Sequence, residues 1–190
     1  MNDSWRGYHL SGGHIALDLA NTVSWRGDPA RRVDRLDLPG FLPHWLRATG
    51  LGDPGDVTGV VPALKELREL VYDLLAAERP DPADLARFGE LLASAHTRAV
   101  PSPTLPVRWT VPVTGATDVL PALVLRTDEL LRSPDVIRVG QCEGGACAWL
   151  FLDTTRNHSR RWCRSDDCGN RDRARRHYRR SRAATTPLET

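Results

Sequence analysis

Lysine and methionine are almost missing from this sequence, with Lys65 and Met1 the single examples of each. Arginine, alanine, proline and leucine are abundant instead, which is the residue usage of GC-rich coding and points to a bacterial source. No stretch approaches the roughly 18 consecutive apolar residues of a membrane span. Met1–Ser4 also lack the basic opening and apolar run of a secretory leader. A cytoplasmic protein with no membrane partner is therefore expected. The sequence contains no P-loop, no dinucleotide fingerprint and no His-Glu-x-x-His pair, so the nucleotide and metallohydrolase classes that these motifs mark have no support.

Excess charge of either sign is also lacking, since the 190 residues sum to +2. That total conceals a polarised chain. Residues 1–155 hold 15 basic and 20 acidic side chains, a balance of −5, whereas residues 156–190 hold 11 arginines against four acids, a balance of +7. A hydrophobic content of 41% is enough to bury a core in the first part.

The front of the chain reads as mainly helical. Ile15, Leu19 and Thr22 or Val23 share one face of a short helix. Asp37 and Pro39 suggest the cap and first turn of a second helix ending at Gly50, with Phe41, Leu42, Trp45 and Leu46 inside. Leu64, Leu67, Val71, Leu74 and Leu75 define a third, and Asp81-Pro82 opens a fourth that buries Leu85, Phe88, Leu91 and Leu92. The short connection predicts that these two form an antiparallel hairpin. Val107, Trp109, Val111 and Val113 alternate among prolines, as edge strands do. A fifth helix starts at Thr117 with Leu120, Leu123, Val124, Leu130 and Leu131 inside, and Val136–Val139 reads as a strand.

Only four cysteines occur, and all lie between residues 142 and 168. They form two Cys-x4-Cys pairs, Cys142 with Cys147 and Cys163 with Cys168, separated by fifteen residues. In a reducing cytosol such pairs indicate metal or redox use before disulfides. Each short loop can offer two sulfurs to one tetrahedral ion, and four thiolates leave no open position for catalysis, so one structural Zn2+ is expected; another thiophilic metal, or unligated buried thiols, are the alternatives. Ala148–Asp153 reads as a strand, Thr154–Ser159 as a polar turn and Arg160–Trp162 as a returning strand. Knuckle, hairpin and a second ligand pair at a helix start resemble a treble-clef finger. The small apolar set Trp149, Phe151 and Trp162 could not hold such a unit without metal.

After Cys168 a helix carries Arg171, Arg173, Arg175, Arg176, Arg179, Arg180 and Arg182 around a narrow stripe of Ala174, Tyr178 and Ser181. An anionic partner explains tolerance of this like-charge density, because arginine forks match phosphates and guanine edges. Arg160, Arg161, Arg171, Arg173, Arg175, Arg176, Arg179 and Arg180 are the candidate nucleic-acid contacts. A solvated basic tail or an acidic protein partner is the competing reading.

The run Trp162-Cys163-x4-Cys168-Gly169-Asn170-Arg171, with the preceding Trp149–Arg161 segment, resembles the CGNR zinc-finger family over about the last 45 residues. Gly13–Thr22 resembles the opening of the ABATE domain that precedes such fingers. The resemblance implies zinc ligation by the four cysteines and a two-part, stress-induced transcription regulator. Arg171-Asp172-Arg173 departs from the alanine and lysine that more often follow the family's arginine, and Asp172 would repel a nearby phosphate.

The expected fold is α+β. A mainly helical domain with a small β element spans residues 1–135, a four-cysteine finger with an arginine-rich helix spans 136–184, and 185–190 are a tail. DNA is the expected partner, with nucleoid association, and the front domain would sense a ligand or dimerise. His14, Asp18 and Asn21 lie at helical spacing and could line an effector pocket, or else hydrogen-bond within the core. Trp25, Trp45 and Trp109 read as core or interface anchors. The alternatives are a small-molecule-binding enzyme using His14, Asp18, Asn21 and His44 with the finger as a structural or docking unit, and an RNA-binding protein.

Overall fold

The structure is a computed structural model and describes residues 8–184; the proposed tail, 185–190, and the opening residues Met1–Ser4 lie outside the described residues. Its helices are α1 (Ile15–Ala20), α2 (Phe41–Ala48), α3 (Val61–Ala76), α4 (Pro82–His96), α5 (Ala116–Arg132) and α6 (Asn170–Ala184). Three antiparallel strand pairs accompany them: β1 (Val23–Ser24) with β2 (Val33–Asp34), β3 (Val100–Pro101) with β4 (Trp109–Thr110), and β5 (Val139–Gln141) with β6 (Leu150–Leu152). Mostly helical front and small β elements agree with the expected class.

The core gathers around α1, which is buried along almost its whole length. Leu17 and Leu19 meet Phe41, Trp45 and Leu46 of α2, Leu64, Leu67 and Val71 of α3, and Leu123 of α5. These side chains repeat at three and four residues, so each helix turns one apolar face inward. α4 packs mainly on α5 and less on α3, so the expected α3–α4 hairpin is a minor part of its contacts. Consequently Leu85 is 47% exposed, while Phe88 is buried as expected.

Pro121 sits inside α5 and removes the hydrogen bond that the Thr117 carbonyl would otherwise accept. The Arg98 guanidinium supplies the replacement, donating to Thr117 O at 2.8 Å and pairing with Asp118. Asp118 in turn accepts from the Thr114 and Gly115 N–H groups, each at 2.9 Å, and so fixes the start of the helix.

Three local expectations are corrected. Asp37 does not cap α2; it ends a 3-10 turn, Arg35–Asp37, and Gly40 in the left-handed region precedes the helix. Val136–Arg138 are not extended, because Pro134 and the Ser133 side chain, which accepts from Asp135 N–H, start a 3-10 turn that leaves Ile137 exposed. β6 pairs with β5 and not with Arg160–Trp162. There, the Asp153 carboxylate accepts from Thr155 N–H at 2.8 Å and Arg160 N–H at 2.9 Å, so a side chain organises the turn in place of a strand ladder.

A buried ion pair ties the β1–β2 segment to α3. Arg68, 2% exposed, donates through both terminal nitrogens to Asp34 at 2.6 and 2.9 Å. Arg68 also pairs with Glu69 at 2.8 Å, so removal of Asp34 leaves its charge with one carboxylate in place of two. Asp34→Ala should cost about 1.5–3 kcal/mol in urea unfolding, and the double replacement Asp34→Leu/Arg68→Met should recover most of it. A loss below about 1 kcal/mol in the single variant would show that solvent replaces the carboxylate.

Candidate metal centre and cationic helix

The first knuckle leaves β5, turns through Glu143–Ala146, and returns to β6. Gly145 takes the left-handed backbone (φ +74), and a Cβ at Gly144 would lie 2.8 Å from the Cys168 sulfur and 3.2 Å from that of Cys142. Glycine at 144 is what allows the two loops to close on each other. The second knuckle runs through a π-helical turn, Ser165–Gly169, directly into α6, and Gly169 N–H donates to Arg164 O at 3.0 Å.

All four sulfurs are buried and lie within 4.8 Å of one another. The Cys147–Cys163 and Cys163–Cys168 separations are 3.8 and 3.6 Å. Sulfurs about 2.3 Å from a tetrahedral ion stand about 3.8 Å apart, so this spacing is that of a Zn(Cys)4 centre. The Arg171 guanidinium donates to the Cys168 sulfur at 2.9 Å, as outer partners of thiolate ligands do. The four residues thus fit one structural zinc, which would hold the two knuckles together and leave no position for substrate.

The finger is joined to the helical front by buried polar contacts. Asn21 donates to Leu150 O and accepts from Leu150 N–H, both at 2.8 Å, completing the unpaired side of β6. Trp149 Nε1 donates to Val23 O at 2.7 Å, and Leu152 N–H to Gly12 O at 2.7 Å. Leu150 itself belongs to the main core.

His14, Asp18 and Asn21 therefore share an element, and each faces backbone. His14 caps α1, its Nδ1 accepting from Ala16 N–H at 3.2 Å, and Asp18 accepts from Gly12 N–H at 2.9 Å. His44 is exposed on α2. Trp45 is a core residue, Trp109 is 46% exposed, and Trp25, at positive φ, lies between the guanidinium groups of Arg31 and Arg171 at 4.0 and 4.8 Å.

The arginines divide sharply. Arg160, expected at a nucleic-acid surface, is turned inward: it donates to the carbonyls of Trp162, Leu152, Ser11 and Cys163 and lies over Phe151 at 4.4 Å. Arg171 donates to the Cys168 sulfur at 2.9 Å and pairs with Asp167. Arg161 is exposed and paired with Glu143, and Arg173 donates to Ser165 O at 3.1 Å. Along α6, Arg176 pairs with Asp172 at 3.1 Å, and Arg175, Arg179 and Arg180 are exposed without an acidic partner among the described residues. The expected packing stripe is not packed. Ala174, Tyr178 and Ser181 are exposed because α6 projects beyond the finger.

Arg35 and Arg164, which also border the sulfurs, escaped sequence reasoning. Arg35 lies over a hundred residues from the cysteines, and nothing in its neighbours marks it.

Two measurements follow from this geometry. Cys163→Ser should lose the bound zinc, detected by a chromogenic indicator, and quench the ordered Trp149 environment while most helical circular dichroism persists. Retention of one zinc per chain would contradict the ligand set. The second concerns pH. Burial pushes the Asp18 carboxyl up to about 6, against hydrogen bonds from Gly12 and Ser11, whereas burial and then the Arg126 charge push His14 down to about 4. The Asp18 contribution to stability is complete below the ordinary carboxylate range and is lost as pH rises through 6. The His14 contribution is complete above the ordinary imidazole value and is lost as pH falls through 4. Between pH 4 and 6 the two slopes oppose. Relative to the parent, Asp18→Asn should make Tm rise more steeply with pH across this window, and His14→Asn, which keeps a cap, should make it rise less; parallel Tm profiles would refute both assignments.

Comparison with known proteins gives two matches. A family model described as "CGNR zinc finger" matches residues 138–181, and the ABATE model, described as "Putative stress-induced transcription regulator", matches residues 13–134. A search of curated proteins found no match. With more than half of its residues covered by the second model and all four cysteines inside the first, the chain belongs to the ABATE family and ends in a CGNR zinc finger.

Proposed function

We propose that the protein is a zinc-dependent DNA-binding transcription regulator whose finger helix contacts DNA. In this reading residues 1–135 sense a small molecule or dimerise, residues 136–184 read DNA, residues 185–190 form a tail, and the protein works in the cytoplasm on the nucleoid. The observation that carries the reading is the orientation of α6. The helix is rooted in the metal centre, and its exposed arginines continue for several turns past the last finger contact.

Helix geometry separates these arginines by role. At 3.6 residues per turn, Arg171, Arg175, Tyr178 and Arg182 follow one side, and Arg173, Arg176 and Arg180 follow the opposite side. The first side begins against the finger, where Arg171 meets Cys168 and Arg175 lies beside Gly145. Arg179 and Arg180, exposed and without an acidic partner among the described residues, are the groups best placed for phosphates and base edges, with Arg173 on the same side as Arg180. Asp172 does not oppose this role, because its charge is taken up by Arg176. Arg161 can add a contact from the hairpin, whereas Arg160 supports the finger from within.

Binding to a duplex should weaken steeply with salt, because each neutralised phosphate releases counterions. Arg179→Ala/Arg180→Ala should lower the slope of log K against log salt by about 1.8 while zinc content stays unchanged. An unchanged slope would remove this face as the contact. Displacement of duplex by an equal concentration of single-stranded RNA would assign the same face to RNA.

A further inference from the structure

The charge around the four sulfurs is supplied by both halves of the chain. Zinc with four thiolates carries a formal charge of about −2, and such a charge in a buried site needs cations close by. Arg35, Arg164 and Arg171 line a cavity of about 120 Å3 together with the buried Cys147 and Cys163, and Asp167 lies on its wall. Arg175 lies against the same knuckle, close enough that a Cβ on Gly145 would come within 2.7 Å of its Nη1. Two of the four have carboxylate partners, Arg164 with Asp166 and Arg171 with Asp167. Arg160, whose guanidinium donates to Cys163 O and has no carboxylate partner among the described residues, adds a fifth cation, so positive charge exceeds negative charge around the metal centre.

Arg35 is the member that comes from the front of the chain. It starts the turn after β2, donates to Ser24 Oγ, and lies over the rings of Tyr8 and Trp149 at 5.2 and 5.6 Å. No carboxylate among the described residues pairs with it, and its Nε is buried without an acceptor. Burial works against its charge, and the Cys147 sulfur is one of the two groups that work for it. The same loop is pinned to the finger at two other points. Gly27 N–H donates to Ala146 O at 3.1 Å, and Trp25 stacks under Arg171.

We infer that Arg35 is a positioning residue for the zinc centre: its guanidinium balances the thiolate charge across the junction, so that metal occupancy and docking of the 24–35 loop stabilise each other. The coupling is reciprocal by linkage. Loss of metal removes the counter-charge of a buried arginine, and displacement of the loop removes a cation from the thiolates. This role is independent of nucleic-acid binding.

The test is the rate at which full-length zinc-loaded protein transfers its metal to a chromogenic chelator. Arg35→Gln should accelerate transfer about tenfold or more, the scale on which outer-shell partners act on metal affinity, and Arg35→Lys should stay within about threefold of the parent. Ser24→Ala, which removes the same hydrogen bond but no charge, should have little effect. Asp167→Asn, at an exposed carboxylate, adds one unit to the excess and should slow release although it breaks an ion pair; combined with Arg35→Gln it should restore a near-parental rate. Parental release from Arg35→Gln, equal effects of Arg35→Gln and Ser24→Ala, or faster release from Asp167→Asn would each overturn the inference. Should Arg35→Gln not fold, removal of zinc from the parent protein should speed tryptic cleavage within residues 24–35, and unchanged cleavage would overturn the inference.

Discussion

Four sulfur atoms at tetrahedral spacing set the position of everything in the last quarter of the chain. The segment between Cys142 and Cys168 has a three-residue strand, a side-chain-organised turn and a small apolar set, too little to hold itself. A metal bound by four thiolates contributes on the order of 10–16 kcal/mol in small fingers, far more than those contacts can. Because Cys168 leads straight into α6, the ion also fixes where the cationic helix starts and which of its sides faces away from the protein.

The finger is not an appendage. Leu150 lies in the core of the helical region, and the Asn21 side chain takes both its N–H and its C=O, while the neighbouring Trp149 carbonyl accepts from Cys142 N–H on the β5 side. An amide that presents both donor and acceptor imitates a neighbouring strand. It lets a short hairpin end inside a helical domain without orphaned backbone groups. The polar residues of α1, which at first sight suggest a pocket, therefore do the work of joining: His14 caps, Asp18 holds the Gly12 turn, and Asn21 receives the hairpin.

Much of this was legible in the sequence. Helical periodicity located the five front helices, and cysteine spacing located the metal centre, because both signals are local and periodic. What remained hidden is long-range. α4 chooses α5 over its neighbour α3, and β6 chooses β5 over Arg160–Trp162, through packing that no spacing records. Arg160 illustrates the limit. In sequence it is one more arginine beside Arg161, yet four carbonyls and the Phe151 ring draw it inward while Arg161 remains outside.

That division resolves the apparent excess of positive charge in the tail. A helix with so many arginines would be self-repelling if all of them stood in solvent. At its root, however, Arg171 and Arg175 lie close to a centre of negative charge, and Asp167 and Asp172 compensate locally. Unopposed charge is present at Arg173 and continues in the distal turns, where Arg179 and Arg180 are exposed. Under the proposed function one continuous helix would perform two electrostatic tasks, balancing a buried anion at one end and presenting cations to an external one at the other. The boundary between the tasks falls where α6 leaves the finger, which is why metal binding and the proposed recognition of nucleic acid can share a single element without competing for the same side chains.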